Sequence, residues 1–395
     1  MNAATPVVLG AGPTGLSAAL NLGSDAILVE REERVGGSCR SSTVGGFTFD
    51  LADHVTFTTD PYVDELYRLL LGNNVHWQER EAWIYSEGVH TRYPNGNGNG
   101  NGNGNGNGHA NGHGNGHANG NGHRKPVGTN ARFGYPLKGG FQALMDGFLP
   151  HIRCELRLES EAVRLSPSRR TVVLSDGSTL PYETVISTIP LPRLVRLVGP
   201  EAPSEVRDAA AGLQHLSVRR VNLGVGRTGL TDKHWIYYPE ETVFQRVFMQ
   251  GNASPHCNPP GGFGLTCEIT YSKNHPLPSD GDELVRRCVE DCRRVGLIGE
   301  HDRIWTACQA DLPFAYVVHD HERSERAEHI RAWLLERDVL LAGRFSEWED
   351  NNSDHAFVSG RDAAIASRKR AEERQAAARR TGRQPHPFER AFMPI

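Results

Sequence analysis

No stretch of this chain approaches the ~20 consecutive apolar residues that a membrane-spanning helix needs, so no membrane role is expected. Long basic blocks are missing before the C-terminus, and over 395 residues the formal net charge is only -4. That excludes the charge footprint of a nucleic-acid binder. Cysteine is scarce: there are seven, an odd number, and they are scattered. Cys288 and Cys292 have the spacing of one helix face, but no second metal-like pair accompanies them. Neither a disulfide framework nor a metal site is expected, and reduced thiols fit a cytoplasmic protein. Met1-Asn-Ala-Ala-Thr leads straight into an apolar run, which leaves no room for a signal peptide. The length suffices for two modest cores, which predicts two domains.

One segment lacks almost everything. From Asn95 to Gly122 the chain is Asn, Gly, His and Ala only. With little apolar surface to set against chain entropy, 95–131 reads as a disordered linker. Its histidines are weak metal ligands at most, without ordered geometry.

What is present is concentrated at the start. Val7 to Gly15 reads Val-Val-Leu-Gly-Ala-Gly-Pro-Thr-Gly, and Ala-Ile-Leu-Val leads to Glu30. This is a buried strand, a glycine turn, a helix start, a second strand and an acid. Gly10 allows the tight turn, Gly12 lets backbone approach a pyrophosphate, and Gly15 lets the helix pack on the strand. Pro13 and Thr14 open the helix, whose N-terminus favours phosphate. Glu30, followed by Arg31, stands where an acid accepts a ribose hydroxyl. The motif predicts a dinucleotide site.

Further on, Phe47–Asp50 alternates like a strand, 61–71 has helical spacing, and Trp83–Tyr85 with Val89–Tyr93 flanks Gly88 as a hairpin. A strand at 184–189 returns the chain to the first sheet, and β-rich runs between 205 and 275 predict an antiparallel second domain. Residues 282–295 and 354–380 read as helices, and 339–344 as a buried strand entering a turn.

The segment Gly37-Ser38-Cys-Arg40-Ser behind Glu30 resembles the extended fingerprint of amine-oxidase-like flavoproteins, which implies FAD rather than NAD. Several further segments resemble the UDP-galactopyranose mutase family. They are Gly46 to Phe57 with His54, Trp77-Gln-Glu-Arg80 through Tyr93-Pro94, His234-Trp-Ile-Tyr237, Phe244-Gln-Arg246, and Pro313-Phe-Ala-Tyr316. Gly343-Arg344 through Trp348 and Asn352-Ser-Asp354-His355 complete the set. The resemblance implies an α/β protein with a Rossmann-like FAD-binding domain and a second domain built on an antiparallel sheet. The expected division is 1–54, 132–192 and 336–382 for FAD, and 55–94 and 193–335 for substrate. The chain departs from the family in three ways. The helical domain expected after Tyr93-Pro94 is missing, Ala52-Asp53 replaces a Gly-Gly pair before His54, and the segment after Trp348 is short.

The resemblance also implies roles. Arg246 is the candidate to grip a diphosphate, with a surface arginine as the alternative. Tyr237 and Tyr316 would donate to the same oxygens, or else pack in the core. His54 would lie against the flavin, as a positioning group or an acid/base. Arg80 would touch flavin or nicotinamide phosphates. Arg344, after Gly343, would neutralise FAD phosphate, and Asn352, Asp354 and His355 would complete the flavin site, Asp354 first as a helix N-cap. Three functions remain open. One is a mutase-type isomerase acting through reduced flavin, with NAD(P)H as reductant, on a nucleotide sugar. The second is an oxidoreductase of the amine oxidase, protoporphyrinogen oxidase or desaturase kind. The third is a non-catalytic flavoprotein or half-enzyme completed by a partner chain. Each takes a small molecule, and the oligomeric state stays open.

Overall fold

The first sheet forms because Val7, Val8 and Leu9 are fully apolar and bury on both faces, as a strand between helical layers must. The computed structural model describes residues 5–93, 132–239 and 242–380. The linker expected at 95–131 lies outside them, and so does the place where a helical domain was expected to be missing.

Thr5–Leu9 is flanked in parallel by Ile27–Val29 and by Thr179–Ser187. Glu155–Arg157 and Val339–Leu341 extend this parallel core on either side. An antiparallel hairpin, Ala162–Ser166 with Thr171–Leu174, is added through the first half of Thr179–Ser187. One face is covered by helices Pro13–Leu22, Gln142–Asp146 and Ser353–Arg380. The other is covered by Leu191–Val198, Ser204–Gly212 and Arg323–Leu335. The long C-terminal helix sits tightly on the first one. A β-carbon at Gly360 would lie 2.2 Å from the Thr14 carbonyl oxygen.

The second sheet has seven strands in the order Ile304–Val317, His215–Val225, Phe263–Tyr271, Arg246–Phe248, Trp235–Tyr237, Ala82–Ser86, Val89–Arg92. Every pairing is antiparallel except Trp235–Tyr237 with Ala82–Ser86. Helix Gly281–Arg294 closes one face, burying Leu284, Cys288 and Cys292 against Cys267 and Ile269. Asp280 caps it by accepting from the Gly281 N–H. The other face looks toward the first sheet and carries the charged residues described below.

The 83–93 hairpin forms within this sheet. His76–Glu79 pairs with Arg132–Tyr135, across the boundary expected between the two domains.

Candidate flavin and substrate site

The helix Pro13–Leu22 begins with Pro13 in its first turn and Gly12 before it. No side chain caps it and no acid stands in the first turn. Its first N–H groups are therefore left for an anion. Gly10 has φ +97, and Gly37 lies so close that a β-carbon on it would meet the Gly12 α-carbon at 3.1 Å. Such a cradle accepts only bare backbone. Glu30 is buried, with one carboxylate oxygen accepting from the Ala11 N–H at 2.7 Å and the other from the Glu32 N–H at 3.1 Å. It fixes the turn and keeps lone pairs for a ribose hydroxyl. Ser38 follows Gly37 in the same short turn. Arg31 is half-exposed and paired with Glu32. Gly343, with φ +82, presses on Thr14. A β-carbon there would lie 2.4 Å from Thr14 Oγ1. Two segments far apart in the sequence thus meet at one turn.

Beside it, Arg344 bonds Asp350 at 2.8 Å, and its guanidinium lies 5.7 Å from the Tyr316 ring. Its Nε is buried without a hydrogen-bond partner among the described residues, as are Nδ1 of His54 and Nε of Arg80. Buried polar atoms left without partners are what a bound polar ligand would satisfy, and the bare-backbone cradle suits the diphosphate of a dinucleotide. The residues fit FAD.

The substrate side is a row across four strands. Arg220, Glu268, Arg246 and Tyr237 stand directly opposite one another in register, so all four project from the same face. Arg246 holds Glu268 through Nε at 2.6 Å, and its Nη2 also reaches Asp53 at 3.3 Å. The Tyr237 and Tyr316 hydroxyls lie 3.5 Å from Arg246. Arg220 is fully buried and bonds both Asp53 and Glu268. Arg80 stacks 4.9 Å over Trp235, and Tyr93 packs 4.8 Å from Tyr237.

Electrostatics follow from this packing. Burial opposes charge on Arg246, but Glu268 and its other neighbours more than offset it and hold the guanidinium charged. Burial would raise Asp53, but Arg220 and Arg246 outweigh it and hold its carboxyl below the usual range. Burial wins at Glu268, helped by Asp53, and pushes it up. Burial lowers His54 to about 4. The imidazole is neutral at pH 7, so the acid/base role expected of it does not follow, whereas a positioning role does. His54 also stacks 5.3 Å from Phe141.

The expected site residues Gly10, Gly12, Pro13, Thr14, Gly15, Glu30, Gly37, Ser38 and Gly343 therefore gather at the cradle. Arg246, Tyr237 and Tyr316 come together on the substrate sheet with Arg344 against Tyr316, while His54 lies against Phe141 and Arg80 over Trp235. Asn352 and His355 are exposed. Asp354 is not the N-cap. The helix starts at Ser353, and the Asn352 carbonyl already accepts from the Ala356 N–H. Asp354 pairs with His355 instead. Sequence reading missed Arg220 and Glu268 and gave Asp53 no role. The available signal was charge inside otherwise apolar strands, which is rare unless paired.

The flavin-containing amine oxidoreductase family matches residues 103–364. The chain belongs to this family. A NAD(P)-binding Rossmann-like domain also matches residues 8–70, and cradle and family together assign FAD as the cofactor. Among solved structures, this family member resembles a reduced UDP-galactopyranose mutase, with a TM-score of 0.79 and 20% identity over 93% of this chain and 94% of that one. It also resembles a putrescine oxidase with putrescine bound, with a TM-score of 0.65 and 13% identity over 92% and 98% of the two chains. These likenesses concern the fold. An uncharacterized protein of the nifH2 3' region of Methanothermococcus thermolithotrophicus is 41% identical over 58 residues. Those residues are 14% of this chain and 56% of that protein. Among the described residues no helix is long and apolar enough to cross a membrane.

Proposed function

We propose that the chain is a FAD-dependent enzyme acting through reduced flavin on a sugar carried by a nucleotide-like diphosphate. The row Arg220–Glu268–Arg246–Tyr237, with Tyr316 and Arg344 at its side, carries this reading. In it two phenol hydroxyls stand 3.5 Å from a charged guanidinium, a donor set suited to a diphosphate. FAD, when bound, supplies a ring that exchanges hydride or, once reduced, acts as a nucleophile. The chain's own residues do the rest. The turn from Gly10 to Gly15, with Gly37 and Ser38, would hold the cofactor diphosphate, and Glu30 with Arg31 its ribose. Arg344 would close over it. Arg246, Tyr237 and Tyr316 would donate to a leaving diphosphate as its charge builds, and Arg80 would supply a second cation. Neutral His54 would orient the ring without moving a proton. NAD(P)H would serve as reductant. Residues 1–54, 132–192 and 336–382 would be the FAD-binding part, with 55–94 and 193–335 for substrate.

Family membership favours a second reading, net oxidation of an amine or similar C–H donor. Anaerobic turnover separates the two. Dithionite-reduced protein given a panel of nucleotide sugars should yield an isomer of equal mass with the flavin still reduced. Bleaching of oxidised flavin by an amine, with no sugar turnover, would establish the second reading instead.

A further inference from the structure

Arg246 is the cation on which a diphosphate would depend, yet two acids already crowd it. Glu268 belongs to the neighbouring strand, stands opposite Arg246 in register, and meets both Nε and Nη2 of its guanidinium with one oxygen. That contact orients Arg246 within the sheet. Asp53 comes from outside the sheet. It follows the hairpin of Ser41–Val44 and Phe47–Asp50 and precedes His54 in the chain. Its side chain is only 2% exposed. Oδ1 bonds Arg220, and Oδ2 lies 3.3 Å from Arg246 Nη2. Oδ2 accepts no hydrogen bond among the described residues. Asp53 therefore sets a negative charge beside Arg246 without being the group that orients it.

A phosphate oxygen bonded to Arg246 Nη2 would come within about 6 Å of Asp53 Oδ2. Like charges so close repel, and more so away from water. We infer that Asp53 is a specificity-determining residue, which weakens the hold of the row on anions and disfavours a free nucleotide diphosphate against one esterified to a sugar. This rests on the diphosphate reading above. The charges around the row show why the ester is still accepted. Arg220 and Arg246 are matched by Asp53 and Glu268, and Arg344 is matched by Asp350. Arg80 makes no ion pair among the described residues, and both it and Arg246 act on the Tyr93 hydroxyl. One positive charge, on Arg80, thus stands beside a neutral row. A nucleotide sugar is held by that charge and by hydrogen bonds from Arg246, Tyr237 and Tyr316. A free nucleotide diphosphate brings one more negative charge, which Asp53 repels and no further cation answers.

The test uses the FAD-loaded protein and calorimetry at about pH 8 with UDP-glucose, UDP and inorganic pyrophosphate. Asp53→Asn keeps the shape of the side chain and an acceptor for Arg220 but removes the charge. It should tighten UDP-glucose about tenfold and UDP by more, a gain that losing a merely structural acid would not give. Asp53→Ser should move both affinities in the same direction. In the wild type, UDP should bind no tighter than UDP-glucose, a comparison that decides the matter even where both variants fail to fold. Unchanged or weaker UDP-glucose binding in a folded variant overturns the inference. So does a wild type that binds UDP more than about tenfold tighter than UDP-glucose. Pyrophosphate held more tightly by Asp53→Asn than by the wild type, with UDP-glucose bound by neither, supports the role of Asp53 and overturns the sugar-diphosphate reading instead.

Discussion

Gly15 faces the Gly10 carbonyl at a separation no side chain tolerates: a β-carbon on Gly15 would lie 1.8 Å from that oxygen. The helix N-terminus is thereby seated directly on the turn. Gly15→Ala must displace backbone, so its cost should reach or exceed the ~1–3 kcal/mol usual for overpacking. The cradle should also lose its shape. Flavin absorbance after gel filtration checks this, and a variant that retains FAD in full would contradict the fit.

At the far end, Arg344 acts on the cofactor more than on the fold. Its side chain makes one ion pair and leaves Nε without a hydrogen-bond partner among the described residues. Arg344→Ala should lower the melting temperature of the apoprotein little. It should reduce the rise in melting temperature that added FAD produces, because stabilisation by a ligand follows its affinity.

Stability and binding should separate on the charged row. Arg246→Ala leaves Glu268 and Asp53 short of a buried partner, and breaking such a pair costs about 3–5 kcal/mol. Tyr237→Phe removes only a hydroxyl 3.5 Å from Arg246. It should change denaturant stability by less than about 1 kcal/mol while weakening UDP-glucose about tenfold, the worth of one charge-assisted hydrogen bond. Urea titration beside calorimetry reads both.

His234 gives the protein an acid limit. Its Nδ1 accepts from the Glu81 N–H at 3.1 Å, so the proton sits on Nε2, which donates to Gln78 at 3.0 Å. Burial lowers its pKa to about 4. The folded state binds this proton less readily than the unfolded chain. The contribution is therefore complete above about pH 6.5 and fades as pH falls toward 4, with a full size on the order of 3 kcal/mol. Urea midpoints should drop more steeply over this window in the wild type than in His234→Gln.

Much of this was legible in the sequence. Gly10, Gly12, Gly15 and Glu30 are readable because their chemistry is local: a turn, a helix start and an acid at fixed spacing. Arg246, Tyr237 and Tyr316 came from resemblance, and the sheet does bring them together. Arg220 and Glu268 were not legible, because their partnership depends on cross-strand register between residues 48 apart. Asp354 was misjudged by two positions, since backbone bonding and not side-chain type decides where a helix begins.

Everything rests on one cradle closed by Gly343 and Arg344 around a single flavin. The most direct measurement is the visible absorption spectrum of the purified protein, before and after incubation with FAD and removal of the excess. The account predicts a yellow protein carrying, or taking up, one FAD per chain. A folded protein that is colourless and rejects FAD contradicts it.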